Sequence, residues 1–254
     1  MNTVVNESHS VVRSYVLEAK YEFLKLWRTP SFVLPTLIFP PFFYLLFGVL
    51  LAGGRGGDTA RYMLATYGVF GIMGPALFGF GVSVAIERER GFLTLKRALP
   101  MPPGALLAAK TAMAMLFAAI ISIVLAVIAM TLAKVSLAPS QWLLLFVVNV
   151  LGVLPFCALG LWIGSLAGAQ AAPAVINLIY LPMAFLSGLW LPLSILPSFL
   201  GTLAPVWPSY HVAQIALKVV DRDAGSPIAL HLLVLAVITI ACFVLARRRL
   251  AASA

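Results

Sequence analysis

Six long apolar stretches constrain this chain more than any other feature, at 31–52, 62–86, 111–133, 141–166, 172–191 and 228–246. A helix that crosses a bilayer needs about 20 mainly apolar residues, and each stretch is near or above that length. The stretches are apolar around the whole helical circumference, as burial in lipid or in a bundle requires. A transmembrane barrel is excluded, because its strands alternate apolar and polar residues. Only 10% of the residues are charged, against about 25% in soluble domains. The expected fold is therefore an all-α polytopic membrane protein with six transmembrane helices in a single transmembrane domain spanning 1–254.

The formal charge of +9 raises nucleic acid as a partner. The basic residues are spread over several loops and form no contiguous basic groove, so nucleic acid is not expected. Their distribution instead sets topology. Twelve Lys and Arg residues fall on the side shared by both termini and the 87–110 loop, and five fall on the other. Cytoplasmic loops collect Lys and Arg, so both termini and the 87–110 loop are expected in the cytoplasm. Every Glu lies on that side and every Asp on the opposite side.

Two segments lie outside the simple span pattern. Residues 10–29 read as an amphipathic interfacial helix. Val12, Val16, Ala19, Phe23 and Trp27 share one face, with Arg13, Glu18, Lys20, Glu22 and Arg28 off it. Residues 192–220 are apolar, but Pro192, Pro197, Pro205 and Pro208 each remove a backbone donor. One or two short re-entrant helices in the outer leaflet are expected there, with Trp190, Trp207 and Tyr210 suited to the membrane–water interface.

The remaining chemistry is sparse. No ionisable residue lies well inside any of the six stretches, which counts against ion-coupled transporters and intramembrane hydrolases. His9, His211 and His231 sit near ends and form no metalloprotease motif, so no metal site is expected. Cys157 and Cys242 lie in apolar runs and read as small hydrophobes. Gln141, Asn149, Gln170 and Asn177 are scattered, as interhelical hydrogen-bonding residues would be. No Lys follows a Gly, so there is no phosphate-binding loop for ATP. Work against a gradient would need energy from another chain.

The dense charge in "ERERGFLTLKRALPMPPGALLAAK", Glu87 to Lys110, has two readings from the residues alone. It anchors topology by its charge, or it meets a soluble partner. After Gly91, Phe92, Leu93, Leu95 and Leu99 alternate with Thr94, Lys96, Arg97 and Ala98, enough for about two helical turns before the prolines.

The order Glu87, Arg88, Glu89, Arg90, Gly91, then Thr94 and Leu95, then Pro100 and Lys110, resembles the cytoplasmic loop of permease subunits in the type-2 ABC transporter family. One departure is that Phe92 and Leu93 separate Gly91 from the Thr94–Leu95 pair. The segment from Ser187 to Ala216 and the amphipathic N-terminal helix are similar to family features as well. The resemblance implies that 87–110 carries a coupling helix docking on an ATPase subunit. Glu87, Arg88, Glu89, Arg90, Gly91, Phe92, Leu95 and Arg97 are then the candidate coupling residues. Arg88, Arg90, Lys96 and Arg97 would meet acids on the partner, and Phe92 and Leu95 would be apolar anchors. It further implies a homodimer with two ABC ATPase copies in a bacterial cell membrane. This chain would then hold no cofactor, with ATP and Mg bound by the ATPase.

The family's dimer contact points to the first and fifth spans. Phe39, Phe43, Phe47, Asn177 and Tyr180 are the candidate pathway or interface residues, although the Phe residues of the first span could equally face lipid. A pathway without buried charge and rich in aromatics fits an amphipathic drug, lipid or lipid-linked glycan. The glycines at 160, 164 and 168 offer a close-packing face, either within one chain or between copies. The rival functions are a non-transporting membrane scaffold or assembly factor and a membrane-embedded lipid-modifying enzyme. The latter needs a polar catalytic cluster that the sequence does not display.

Overall fold

The computed structural model describes residues 11–51, 57–92, 95 and 104–252. Every regular element among them is helical. The order is α1 (Val11–Trp27), α2 (Pro30–Leu50), α3 (Asp58–Glu89), α4 (Ala105–Thr131), α5 (Pro139–Leu166), α6 (Ala172–Leu186), α7 (Ser198–Leu203), α8 (Pro208–Val219) and α9 (Ile228–Ala252).

Five of these helices, α2 to α5 and α9, are long and apolar enough to cross a bilayer. The sixth expected span is shorter than its apolar stretch. α6 has 15 residues, which at about 1.5 Å per residue covers roughly 22 Å. The helix stops at Leu186, where the 172–191 reading would have carried it on. The Ser187 amide makes the last α-helical bond, to the Met183 carbonyl, the Gly188 amide a tightened one to the Phe185 carbonyl, and Gly188 takes a φ of +75°. That left-handed turn ends a helix regardless of the hydrophobicity that follows. The boundaries around the charged loop move the other way. α3 continues to Glu89 and α4 already begins at Ala105, so Lys110 lies inside a helix.

α3 is the central rod and is mostly buried, whereas α9 lies on the periphery. Its lower half meets α5 at very short range. A Cβ on Gly160 would approach the Ala76 carbonyl to 3.0 Å, and one on Gly164 would overlap the Gly81 carbonyl. The glycine face thus packs within the chain, and Gly168 lies beyond the end of α5 beside Glu89. Two proline-associated stretches are π-helical, Tyr44–Leu50 after Pro40 and Pro41 and Pro75–Val82 at Pro75. A proline removes an amide donor, and the helix accommodates the loss by lengthening its bonding pattern locally.

The segment after α6 breaks into a 3-10 turn at Leu193–Ile195, α7, a second 3-10 turn at Ala204–Val206, and α8. From Pro208 to Leu217 α8 is wholly buried. Two tyrosines of α3 hold the turn before it: Tyr62 Oη donates to the Gly188 carbonyl at 3.0 Å and Tyr67 Oη to the Trp190 carbonyl at 3.2 Å.

Polar contacts collect at two ends of the bundle. At one end Arg222 pairs with Asp58, Lys218 with Asp223 at 2.7 Å, and Gln141 Nε2 donates to the Val219 carbonyl at 2.8 Å. The other end holds Glu22, Lys25, Glu87 and Lys110.

Candidate functional site

The charged end is built from α1, the end of α3 and the start of α4. Lys110, fully buried, places Nζ 2.9 Å from Glu22 Oε2, 3.0 Å from Glu87 Oε1 and 2.9 Å from Ser83 Oγ. Lys25, half exposed, reaches Glu87 Oε1 at 2.7 Å. Each of the two buried acids therefore meets an ammonium group. That pairing is what allows charge to be buried at all, since an unpaired buried charge is very costly. Helical periodicity puts Glu22 off the apolar face of α1, yet it is 4% exposed. Val12 and Val16, on the expected apolar face, are exposed instead. The correction has a simple cause. Glu22 is drawn inward by Lys110, while Phe23 and Trp27 pack on Phe117 of α4, with ring centroids 5.2 and 6.2 Å away.

The next two residues of the loop are also engaged by the chain itself. Arg88 donates to the carbonyls of Ser165 and Ala167, the latter at 2.8 Å. Those carbonyls lie at the end of α5, where a helix leaves acceptors unsatisfied and negative partial charge accumulates. Glu89 Oε2 accepts from the Ala169 amide at 2.6 Å. Glu87, Arg88 and Glu89, all candidate coupling residues, therefore lock α3 to α1, α4 and the α5–α6 turn.

Beyond them the chain turns outward. Arg90 is exposed, Gly91 has a φ of +73°, and the Leu95 amide donates to the Gly91 carbonyl at 3.1 Å. Phe92 and Leu95 are 46% and 60% exposed. Arg97 and Lys96 lie outside the described residues.

The second set of candidates meets in a groove of about 540 Å³ between α2, α3 and α6. Phe39, Phe43, Asn177 and Tyr180 all line it, with Phe70 and Trp190. Phe47 is not on its wall. It stacks behind, with its ring 6.3 Å from Phe43 and 6.4 Å from Tyr67. Phe43 stacks in turn on Trp190, and Tyr180 on Phe70. The walls carry aromatic faces with a few uncharged polar groups, among them Ser31, Thr36 and Asn177. Such a surface accommodates an amphipathic body without a compensating ion.

A model of the family described as ABC-2 type transporter matches residues 14–220. The chain belongs to the ABC-2 type transporter family. The matched residues contain the charged lock, the exposed turn and the groove. A Bacillus subtilis (strain 168) protein, "Putative transport permease YvfS", is 27% identical over 216 residues, covering 84% of this chain and 87% of that protein. As an ABC-2 permease, the chain is a multi-pass transmembrane transport subunit and is not itself the catalytic ATPase. Family membership implies an ABC ATPase partner.

Glu22, Lys25 and Ser83 escaped the sequence reading of the site. The available signal was Glu22 and Lys25 one turn apart among Phe23, Leu24 and Leu26. An acid set among those apolar neighbours has a reason to find a buried cation.

Proposed function

We propose that this ABC-2 permease is the membrane half of an ATP-driven exporter that moves an amphipathic drug, lipid or lipid-linked glycan out of the cytoplasm or inner leaflet. Two copies of the chain enclose the path, and two ABC ATPase subunits bind ATP and Mg and drive it from the cytoplasmic side. The protein resides in a bacterial inner membrane with both termini in the cytoplasm, as the bias of Lys and Arg favours, and the 192–220 helices dip into the outer leaflet.

The observation that carries this reading is the exposure of Arg90, Phe92 and Leu95 just beyond a base held by ion pairs and hydrogen bonds. Arg90 offers a charge and Phe92 and Leu95 offer apolar area to a soluble motor, with Arg97 beyond them. Glu87, Arg88 and Glu89 act one layer back, transmitting displacement of that turn into α1, α4 and α5. The groove supports the choice of substrate class: it is aromatic, uncharged and open at the side of the bundle. α2 and α6 flank it and expose Phe39, Phe42, Leu178 and Leu181, a face suited to a second copy of the chain.

The test is reconstitution of the chain with its ABC ATPase in liposomes, followed by ATPase assay across neutral and zwitterionic lipids, lipid-linked glycans and amphipathic drugs. Stimulation by one class and its ATP-dependent movement across the bilayer are expected. A chain that co-purifies with no ATPase, or an ATPase indifferent to every class, would leave the scaffold function in its place.

A further inference from the structure

A second groove, of about 320 Å³, lies between α3, α4, α5 and α9 and shares no lining residue with the aromatic groove. Phe80, Leu107, Leu154, Leu161, Ile240 and Phe243 are on its walls, and no charged residue is. Two threonines line it, but their hydroxyls are spent on their own helices. Thr111 Oγ1 donates to the Leu107 carbonyl at 2.9 Å and Thr239 Oγ1 to the Leu235 carbonyl at 2.6 Å. The groove is therefore apolar. Leu154, Ile240 and Phe243 are exposed on the outside of the bundle, so it opens sideways to the hydrocarbon. It fills the gap that α9 leaves toward α4 while packing mainly on α5 and α8.

The groove runs toward the charged end of the bundle. Leu107 is in the first turn of α4, and Leu161 is in the last two turns of α5. On α9, Arg247 follows Phe243 by four positions and Ile240 by seven, so it lies on the groove-lining face, one turn nearer that end. Arg247 is about 28 Å along α9 from Ile228 at about 1.5 Å per residue. That brings it to the edge of a hydrocarbon core about 30 Å thick. Arg247, Arg248 and Arg249 are all exposed, and none makes a hydrogen bond or ion pair among the described residues. Arg88 and Lys110, at the same end, both have partners within the chain.

We propose that this groove holds an acyl chain of an anionic phospholipid whose phosphate is bound by Arg247. An apolar groove alone would accept a chain of any lipid, and three arginines alone would only set topology. Their alignment on one face of α9 is what joins them into a site. The Arg247 guanidinium donates parallel N–H bonds to two phosphate oxygens, at the depth where lipid phosphates begin. Arg248 and Arg249 add attraction for a headgroup with net negative charge. A zwitterionic headgroup forgoes much of that attraction, because its own ammonium offsets the phosphate. The lipid is a resident of the α9 side of the bundle and not cargo, so the site stands whatever the aromatic groove carries.

The test is native mass spectrometry of the full chain solubilised from its membrane and titrated with phosphatidylglycerol or phosphatidylcholine of identical long acyl chains. Phosphatidylglycerol should be retained in preference, as a saturable adduct. Arg247→Gln should weaken that adduct about fivefold, the worth of one arginine near an anionic lipid surface. Arg249→Gln removes the same charge but lies roughly 120° round the helix from Phe243 at about 3.6 residues per turn, and should weaken it clearly less. Ala158→Leu, which adds bulk to the groove wall, should lose the adduct, as should a short-chain phosphatidylglycerol that cannot fill the groove. If Ala158→Leu fails to fold, the short-chain lipid and the two arginine variants still decide. Equal retention of both headgroups, equal losses in the two arginine variants, or undiminished binding of the short-chain lipid would each overturn the site. What remained would be a topology signal beside a groove open to any lipid chain.

Discussion

Lys110 Nζ lies 2.9 Å from Glu22 Oε2 with both side chains buried, so the surface helix α1 is fastened by charge to the first turns of α4. The same ammonium holds Glu87 at the end of α3. Replacing it with Lys110→Met takes the buried ammonium away from both Glu22 and Glu87. The expected cost is roughly 3–5 kcal/mol, measured as denaturant unfolding of the purified chain. Adding Glu22→Gln and Glu87→Gln to that variant should recover much of the loss, because the charge left among these four residues is then Lys25, which is half exposed to solvent. A triple variant no better than Lys110→Met alone would show that the ion pairs are not what holds α1.

The charged loop should divide by experiment as it does in space. Arg88→Ala removes the donor to two carbonyls at the end of α5 and should destabilise the chain by about 1.5–3 kcal/mol, as loss of hydrogen bonds to a charged group does. Phe92→Ala and Arg90→Glu touch exposed positions and should leave stability within about 0.5 kcal/mol. They should nevertheless lower substrate-stimulated ATPase activity of the reconstituted complex, and Gly91→Pro should abolish it. Full activity in a combined Arg90→Glu, Phe92→Ala, Gly91→Pro variant would reduce the turn to an anchor of topology.

Gly164→Ala should be poorly tolerated. The new methyl would overlap the Gly81 carbonyl, a backbone atom with nowhere to move, and forced separation of packed helices costs about 1–3 kcal/mol. Gly201→Ala, where nothing lies within 4 Å of the added carbon, should be neutral. Thermal unfolding of both variants in the same detergent checks the contrast.

The proposed two-copy arrangement would place α2 and α6 at the contact. In a Cys157→Ala, Cys242→Ala background, Phe43→Cys and Asn177→Cys should each crosslink to dimer size in native membranes. Gly164→Cys should not, because that face is occupied by α3 of the same chain. The reverse pattern would move the interface to α5, and a complex with one permease chain would remove the two-fold exporter.

Much of the candidate site was legible because its residues are neighbours along the chain. Glu87 to Leu95 form one charged run between apolar stretches, and its order of residue types suffices to single it out. Their division of labour was not legible. That Arg88 turns back to Ser165 and Ala167 while Arg90 faces outward depends on where α5 ends in space. The groove was half legible: aromatic residues on 39, 43 and 47 announce a face, but Phe70 of α3 and Trp190 of the turn after α6, which complete the wall, come from elsewhere in the chain.

The sequence by itself determined that this chain is a helical membrane protein and roughly where its spans lie. Hydrocarbon leaves no partner for a free backbone amide, so an apolar run of sufficient length has one regular solution. It also determined the breaks after α6, since Gly188 and the prolines from Pro192 to Pro208 act locally. Tertiary structure alone decided that the glycine face packs inward and that Glu22 and Lys110 meet across 88 positions of sequence. Periodicity reports which side of a helix is apolar. It does not report whether a polar group on the other side meets water or a buried opposite charge, because that depends on which helix the fold brings alongside.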